Sequence, residues 1–269
     1  MRGIELENEI KALIEARRED DYWDFKEKHH SNKANLLHDI ICMANNRVDR
    51  DAYIIFGIAD KTFEVVGVEN DENRWNQQMV IDFLKSKSVV SGIRPRVEMR
   101  TLRLAGHEVD VLIVKNSTDT PYFLTDRYSD GSRTVRANDI YTRVGDTNTD
   151  IDKSADINNI EYLWKKHFLL TRSPFEQIIK RLENKDEWSH DEEDNYYNIF
   201  NPEFTIIIEE DTEAGPPRRA EFYAYVMEDK SVSYRKLTIN YFGTVQLAGR
   251  FAGRRQISHP RSRKGFLKF

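Results

Sequence analysis

A single cysteine, Cys42, stands in 269 residues, so neither an internal disulfide framework nor a cysteine-based zinc site can form. That usage fits a reducing compartment, and a cytoplasmic protein is expected. Glycine and proline are sparse, at 12 and 7, which excludes collagen-like and Gly/Pro-rich disordered chains. No apolar run approaches the ~20 residues that a membrane-crossing helix needs, and no membrane partner is expected. Residues 1–20 carry acids early and lack an apolar h-region, so no secretory signal is expected. An excess of positive charge is also lacking. The 41 Lys+Arg against 46 Asp+Glu leave a net charge of -5, which argues against indiscriminate coating of nucleic acid. No G-x-x-x-x-G-K-[ST] loop occurs, so the usual phosphate cradle is missing, and the segment from Gly57 to Gly67 cannot replace it.

What is present suffices for a folded core: 39% of residues are hydrophobic, and 32% are charged. At roughly 150 residues per domain the length suits two domains. A composition shift near Ile151 places them at residues 1–150 and 151–269. The first reads as α+β, a mixed β-sheet with flanking helices. Ile4, Leu6, Ile10, Leu13 and Ile14 recur near helical spacing over residues 4–18. In Trp23-Asp24-Phe25-Lys26, rings alternate with charges, as in a strand whose rings enter a core while Asp24 and Lys26 share the other face. Asn32 can cap a helix over 33–46. The run 52–58 is almost continuously apolar and predicts a strand buried on both faces. A strand over 63–68, a helix over 73–87 and a hairpin of strands at 96–103 and 108–115 follow. After residue 151, two helical segments broken at Ser173-Pro174 lead into antiparallel strands at 203–208, 220–227 and 232–245, a smaller α+β domain.

Glu19, Asp24, Lys26 and Asp60 form the first candidate site. Glu19 precedes the strand that carries Asp24 and Lys26, and Asp60 follows the apolar strand. Three carboxylates near strand ends can hold Mg²⁺ or Mn²⁺, which prefer oxygen ligands, and a nearby lysine can stabilise charge on a phosphodiester in flight. The bland reading of the same residues is a solvated strand face with a surface ion pair worth ~0–1 kcal/mol.

Glu19, Asp24-Phe25-Lys26, the segment from Leu37 to Asn46, Tyr53-Ile54-Ile55-Phe56-Gly57-Ile58-Ala59-Asp60, Val66-Gly67-Val68 and Tyr141-Thr142-Arg143-Val144-Gly145 occur in an order that resembles the Schlafen-type AlbA-like domain, over about residues 5–150. That family is described both as a nucleic-acid-binding domain and as a divergent ATP-binding domain. In its nuclease members three acidic residues and a divalent metal cut transfer and ribosomal RNA. The resemblance implies Glu19, Asp24 and Asp60 as metal ligands and catalytic acids, with Lys26 beside them and Mg or Mn as cofactor. The family usually has Glu before Phe-Lys; Asp24 is one methylene shorter and would draw a ligand towards the backbone.

The second candidate is the C-terminal tail. Arg250, Arg254, Arg255, Arg261, Arg263, Lys264 and Lys268 occur without an acid from 250 to 269, among Phe251, His259, Phe266 and Phe269. Such a pattern can contact phosphates and stack on unpaired bases. It equally suits a solvated tail or a strand edge docked on the acidic 186–194 segment. Arg143, near the Gly145 turn, can meet phosphate or make a structural ion pair. His29-His30 reads as a polar loop, Cys42 as a buried thiol, Asn45-Asn46 as a helix cap and 186–194 as a solvated loop. The expected function is binding of RNA or single-stranded nucleic acid, with metal-dependent endoribonuclease action on tRNA-like RNA. The rival readings are a non-catalytic binding or regulatory module, and an interaction subunit of a bacterial antiviral defence assembly. In that last case the C-terminal domain would dock a protein partner or a second copy.

Overall fold

Alternation of rings and charges in the first strand sends Trp23 and Phe25 into a core and leaves Asp24 and Lys26 on the other face. The computed structural model describes residues 3–193, 195–211 and 232–254. It opens with α1 (Gly3–Glu15), β1 (Trp23–Lys26), α2 (Lys33–Ala44) and β2 (Ala52–Phe56). It continues with α3 (Gln77–Lys85), β3 (Val97–Leu104) and β4 (His107–Val114). A four-stranded sheet has the order β1-β2-β4-β3, with β1 and β2 parallel and the other neighbours antiparallel. The sheet is therefore mixed, with helices flanking it. Asn32 caps α2, its side chain accepting from the backbone N–H groups of Ala34 and Asn35.

Alternate residues of β2 serve two cores. Ala52, Ile54 and Phe56 join Leu36, Leu37, Ile40 and Ile41 of α2, whereas Tyr53 and Ile55 join Trp23, Phe25 and Leu6, Ile10 and Leu13 of α1. This is why the run lacks the polar/apolar alternation of a half-exposed strand. The strand expected at 63–68 is reduced to a single bridge between Ile58 and Val65. Gly57 and Gly67 meet backbone to backbone at the base of that loop: a Cβ on Gly57 would sit 3.2 Å from Gly67, and both glycines have positive φ. The pair closes a loop, and extended pairing stops there.

Two short hairpins follow, β5 (Tyr128–Asp130) with β6 (Arg133–Val135) and β7 (Arg143–Val144) with β8 (Thr147–Asn148). Then comes α4 (Ile157–His167). Buried Asn45 ties these loops to the end of α2. It donates to the carbonyls of Tyr122 and Tyr141 at 2.8 and 2.9 Å and accepts from the Tyr122 N–H at 2.7 Å. Asn45→Ala strands three buried backbone groups and is expected to cost about 2–3 kcal/mol in urea unfolding followed by tryptophan fluorescence. The first compact unit runs to Thr171, past residue 150, because α4 binds it directly. Thr120 donates to the Leu163 carbonyl, Tyr162 to that of Arg47 and Lys166 to that of Val48.

The second unit begins at Arg172 with α5 (Pro174–Arg181), where Ser173 and Glu176 form a capping box and proline occupies the first turn. Next come β9 (Trp188–His190), β10 (Tyr196–Asn198), β11 (Phe204–Glu210), β12 (Val232–Tyr241) and β13 (Thr244–Arg254), a sheet of order β13-β12-β11-β10-β9. Its core is Ile178, Phe204, Ile206, Leu237 and Ile239. The acidic 186–194 segment supplies strand β9 and is more than a solvated loop. The strand expected at 232–245 turns back at Phe242 and Gly243, both at positive φ, so the start of the basic tail is β13, paired along β12. The strand expected at 220–227 lies outside the described residues. No described helix is long and apolar enough to cross a membrane.

Candidate functional site

The acids singled out in the sequence converge on an arginine. In the β7–β8 hairpin the register pairs Arg143 with Asn148, which puts both side chains on one face. Arg143 is 1% exposed, and each of its five N–H donors has an acceptor. Nε donates to the Asp20 carbonyl at 2.8 Å. Nη1 donates to Asp24 Oδ1 and Asn148 Oδ1, both at 3.1 Å. Nη2 donates to Glu19 Oε2 and the Trp23 carbonyl, again at 3.1 Å. A guanidinium so enclosed carries no free donor for phosphate. Arg143 is therefore corrected from a nucleic-acid contact to the structural ion pair.

The outer oxygens are engaged as well. Glu19 Oε1 accepts from the Phe25 N–H at 2.9 Å, and Asp24 Oδ2 lies 2.5 Å from Lys26 Nζ, an ion pair outside good hydrogen-bond directionality. Burial, then the charge of Asp24, pushes the Glu19 carboxyl above its ordinary pKa. Burial works against the Lys26 ammonium, yet Asp24 and Asp39 outweigh it and raise its pKa. Asp60 falls in the exposed turn after β2, and no hydrogen bond or ion pair among the described residues includes it. As arranged, this donor set does not fit a divalent cation. All four oxygens of Glu19 and Asp24 already face donors, the central position holds a guanidinium, and no group of three or more His, Cys, Asp or Glu among the described residues could hold a metal.

The network continues beyond the candidate acids, through Asn148, Asp39 and His30. Asn148 Nδ2 donates to Asp39 Oδ1 at 3.0 Å, and Asp39 Oδ2 lies 2.8 Å from His30 Nε2. Burial opposes the Asp39 charge, but His30, His38 and Lys26 hold its carboxyl well below the usual range. The visible signal was an acid inside the otherwise apolar stripe Leu36, Leu37, Ile40 and Ile41. His29 lies in the loop between β1 and α2, as expected, but its side chain is not a solvated one. It is buried, stacked 4.0 Å from Phe56, with Nε2 3.1 Å from Asp110 Oδ2. Cys42 is buried, and burial raises its thiol pKa.

The family model described as Schlafen, AlbA_2 matches residues 19–152. Residues 19–152 form a Schlafen AlbA_2 domain. The matched segment begins at Glu19 and ends just past the β7–β8 hairpin, so the Arg143 network lies wholly within the Schlafen AlbA_2 domain. Membership of this family points to nucleic-acid binding. Comparison with curated proteins finds no match. Among solved structures, the chain is similar to the DIP2311 protein from Corynebacterium diphtheriae, at 20% identity and a TM-score of 0.37. That likeness covers 69% of this chain and 35% of the other, so the chain spans about a third of that protein's length.

Of the basic tail, Arg250 lies 2.8 Å from Asp211 Oδ2, and Arg254 ends β13. Arg255, Arg261, Arg263, Lys264 and Lys268 lie outside the described residues. The Schlafen AlbA_2 domain itself presents Arg133 and Arg136, both exposed, beside a polar cavity that opens next to Asp39.

Proposed function

We propose that the Schlafen AlbA_2 domain of this chain binds RNA or single-stranded nucleic acid as a non-catalytic module, with Glu19, Asp24, Lys26 and Arg143 as its internal brace. Family membership and the exposed arginines beside the cavity support the binding half. The observation that carries the non-catalytic half is the saturation of Arg143, which with Lys26 balances both carboxylates that a metal would need. Endoribonuclease action with Mg²⁺ or Mn²⁺ would require Arg143 to release Glu19 and Asp24, and Asp60 to approach them.

The experiment is incubation of the full chain with a transfer RNA and with single-stranded RNA, with and without Mn²⁺. Expected is binding that weakens as salt rises and no manganese-dependent cleavage. Cleavage by the wild type that Asp60→Ala abolishes, with its melting curve unchanged, would overturn the reading in favour of a metal-dependent nuclease. Truncation after Arg254 assigns the distal tail: each lost phosphate contact flattens the salt slope by roughly 0.7–0.9, and an unchanged slope removes residues 255–269 from the interface.

A further inference from the structure

The polar cavity of the first unit has a volume of about 600 Å³, within the ~300–1,000 Å³ of small-ligand sites. Its floor is His38 and Asp39 of α2. One wall is Ser132, Arg133, Thr134 and Arg136 of the β5–β6 hairpin and its exit, and the other is residues 148–152 after β7. Hydroxyl, guanidinium, carboxylate, amide and imidazole groups line it, with Ile151 the one aliphatic side chain among them.

Charge decides what such a cavity can take. A bare anion would meet Arg133 and Arg136 but also Asp39, Asp150 and Asp152. A cation would meet the reverse. A ligand that suits both walls carries an anionic group at one end and hydrogen-bond donors at the other. The basic wall has capacity to spare: among the described contacts Arg133 donates through Nε alone, to Asn35 Oδ1 at 2.9 Å, and Arg136 reaches Asp139 only at 3.9 Å. On the acidic wall, Asp39 and Asp150 keep lone pairs beyond those used by Asn148, His30 and Lys153. His38 lies on the cavity floor with its side chain 9% exposed. Nδ1 lies 3.7 Å from Asp39 Oδ1 and Nε2 3.6 Å from Cys42 Sγ, and the ring meets Tyr141 edge-on.

We infer that this cavity binds one ribonucleotide unit, its phosphate on Arg133 and Arg136 and its ribose hydroxyls on the Asp39–Asp150 side. A free nucleotide or the 3′-terminal unit of a strand supplies two hydroxyl donors to these carboxylates, an internal unit supplies its 2′-hydroxyl alone, and deoxyribose lacks that 2′ donor in every case. The inference rests on the nucleic-acid reading when the unit belongs to a strand, and stands without it when the unit is a free nucleotide.

The test titrates the full chain with a nucleoside 5′-monophosphate, a single-stranded RNA oligonucleotide and the DNA oligonucleotide of the same sequence. It follows affinity by anisotropy or calorimetry and the His38 ring signals by NMR. Expected is RNA bound more tightly than DNA, with the His38 signals shifted on saturation. The surface variant Arg133→Ala/Arg136→Ala should weaken RNA binding by roughly tenfold or more, as loss of charge-assisted phosphate contacts does, at unchanged melting temperature. Asp150→Asn/Asp152→Asn should narrow the RNA-over-DNA preference. Binding of the monophosphate without either oligonucleotide supports the cavity and overturns the nucleic-acid reading. Oligonucleotide binding that the arginine variant leaves unchanged, with unmoved His38 signals, overturns the cavity assignment and leaves nucleic-acid binding standing.

Discussion

Arg143→Ala is expected to destabilise the first unit by about 3–5 kcal/mol, the range for removing one partner of a buried ion pair. At roughly 2–4 °C per kcal/mol for a unit of this size, the melting temperature should fall by about 6–20 °C. The loss exceeds that of one hydrogen bond because two carboxylates, Glu19 and Asp24, would face each other with only Lys26 between them and solvent. The carbonyls of Asp20 and Trp23 would lose their donors too. Arg143→Lys should recover little, since an ammonium has three donors on a point charge and cannot span five acceptors arranged around a planar fork. Differential scanning calorimetry of the three proteins checks this. If Arg143→Ala melted within a degree of wild type but lost RNA affinity, the arginine would be a ligand contact after all.

Asp110→Ala is the second large effect, expected at about 3–4 kcal/mol. Asp110 is 1% exposed, and both its oxygens are shared. Oδ1 accepts from Arg74 Nη2 at 2.9 Å and Thr101 Oγ1 at 2.5 Å. Oδ2 accepts from Arg74 Nε at 2.7 Å, with His29 Nε2 at 3.1 Å. Truncation leaves His29 buried against Phe56 without its partner. Burial alone would raise the Asp110 pKa, but His29, Arg74 and Thr101 outweigh it and hold the group well below its ordinary 3.8. A carboxylate with a depressed folded pKa contributes stability in full above its unfolded pKa and loses it as pH falls below that value towards the folded one. Asp39 acts in the same direction. Glu19 acts in the opposite one, because its raised pKa returns some stability as pH falls towards 4.5. The wild type should therefore lose stability steeply below about pH 4. Asp110→Asn, less stable at pH 7, should show a shallower acid limb in urea titrations at successive pH values. Parallel acid limbs in the two proteins would remove Asp110 as the source.

Much of the first unit was legible from local pattern. The alternation in Trp23-Asp24-Phe25-Lys26, the cap at Asn32, the doubly buried run 52–56 and the hairpin around Ala105-Gly106 each depend on neighbours a few residues apart. Their side chains report the local period directly. Misreadings occurred where the partner is distant or absent. Residues 63–68 have strand composition, yet the close approach of Gly57 and Gly67 makes them a loop. His29 sits in a polar stretch, and its burial is decided by Phe56 and Asp110.

By itself the sequence determined the class of fold, the family of residues 19–152 and the sharing of one strand face by Asp24 and Lys26, because these follow from residue order and strand period. Only the tertiary structure decided what those charges do. Arg143 lies more than a hundred residues from Glu19 and Asp24, and no spacing rule shows that its five donors close over them. Pairing across that distance turns an apparent metal ligand set into a closed ionic brace, whose Asn148–Asp39 end borders the polar cavity.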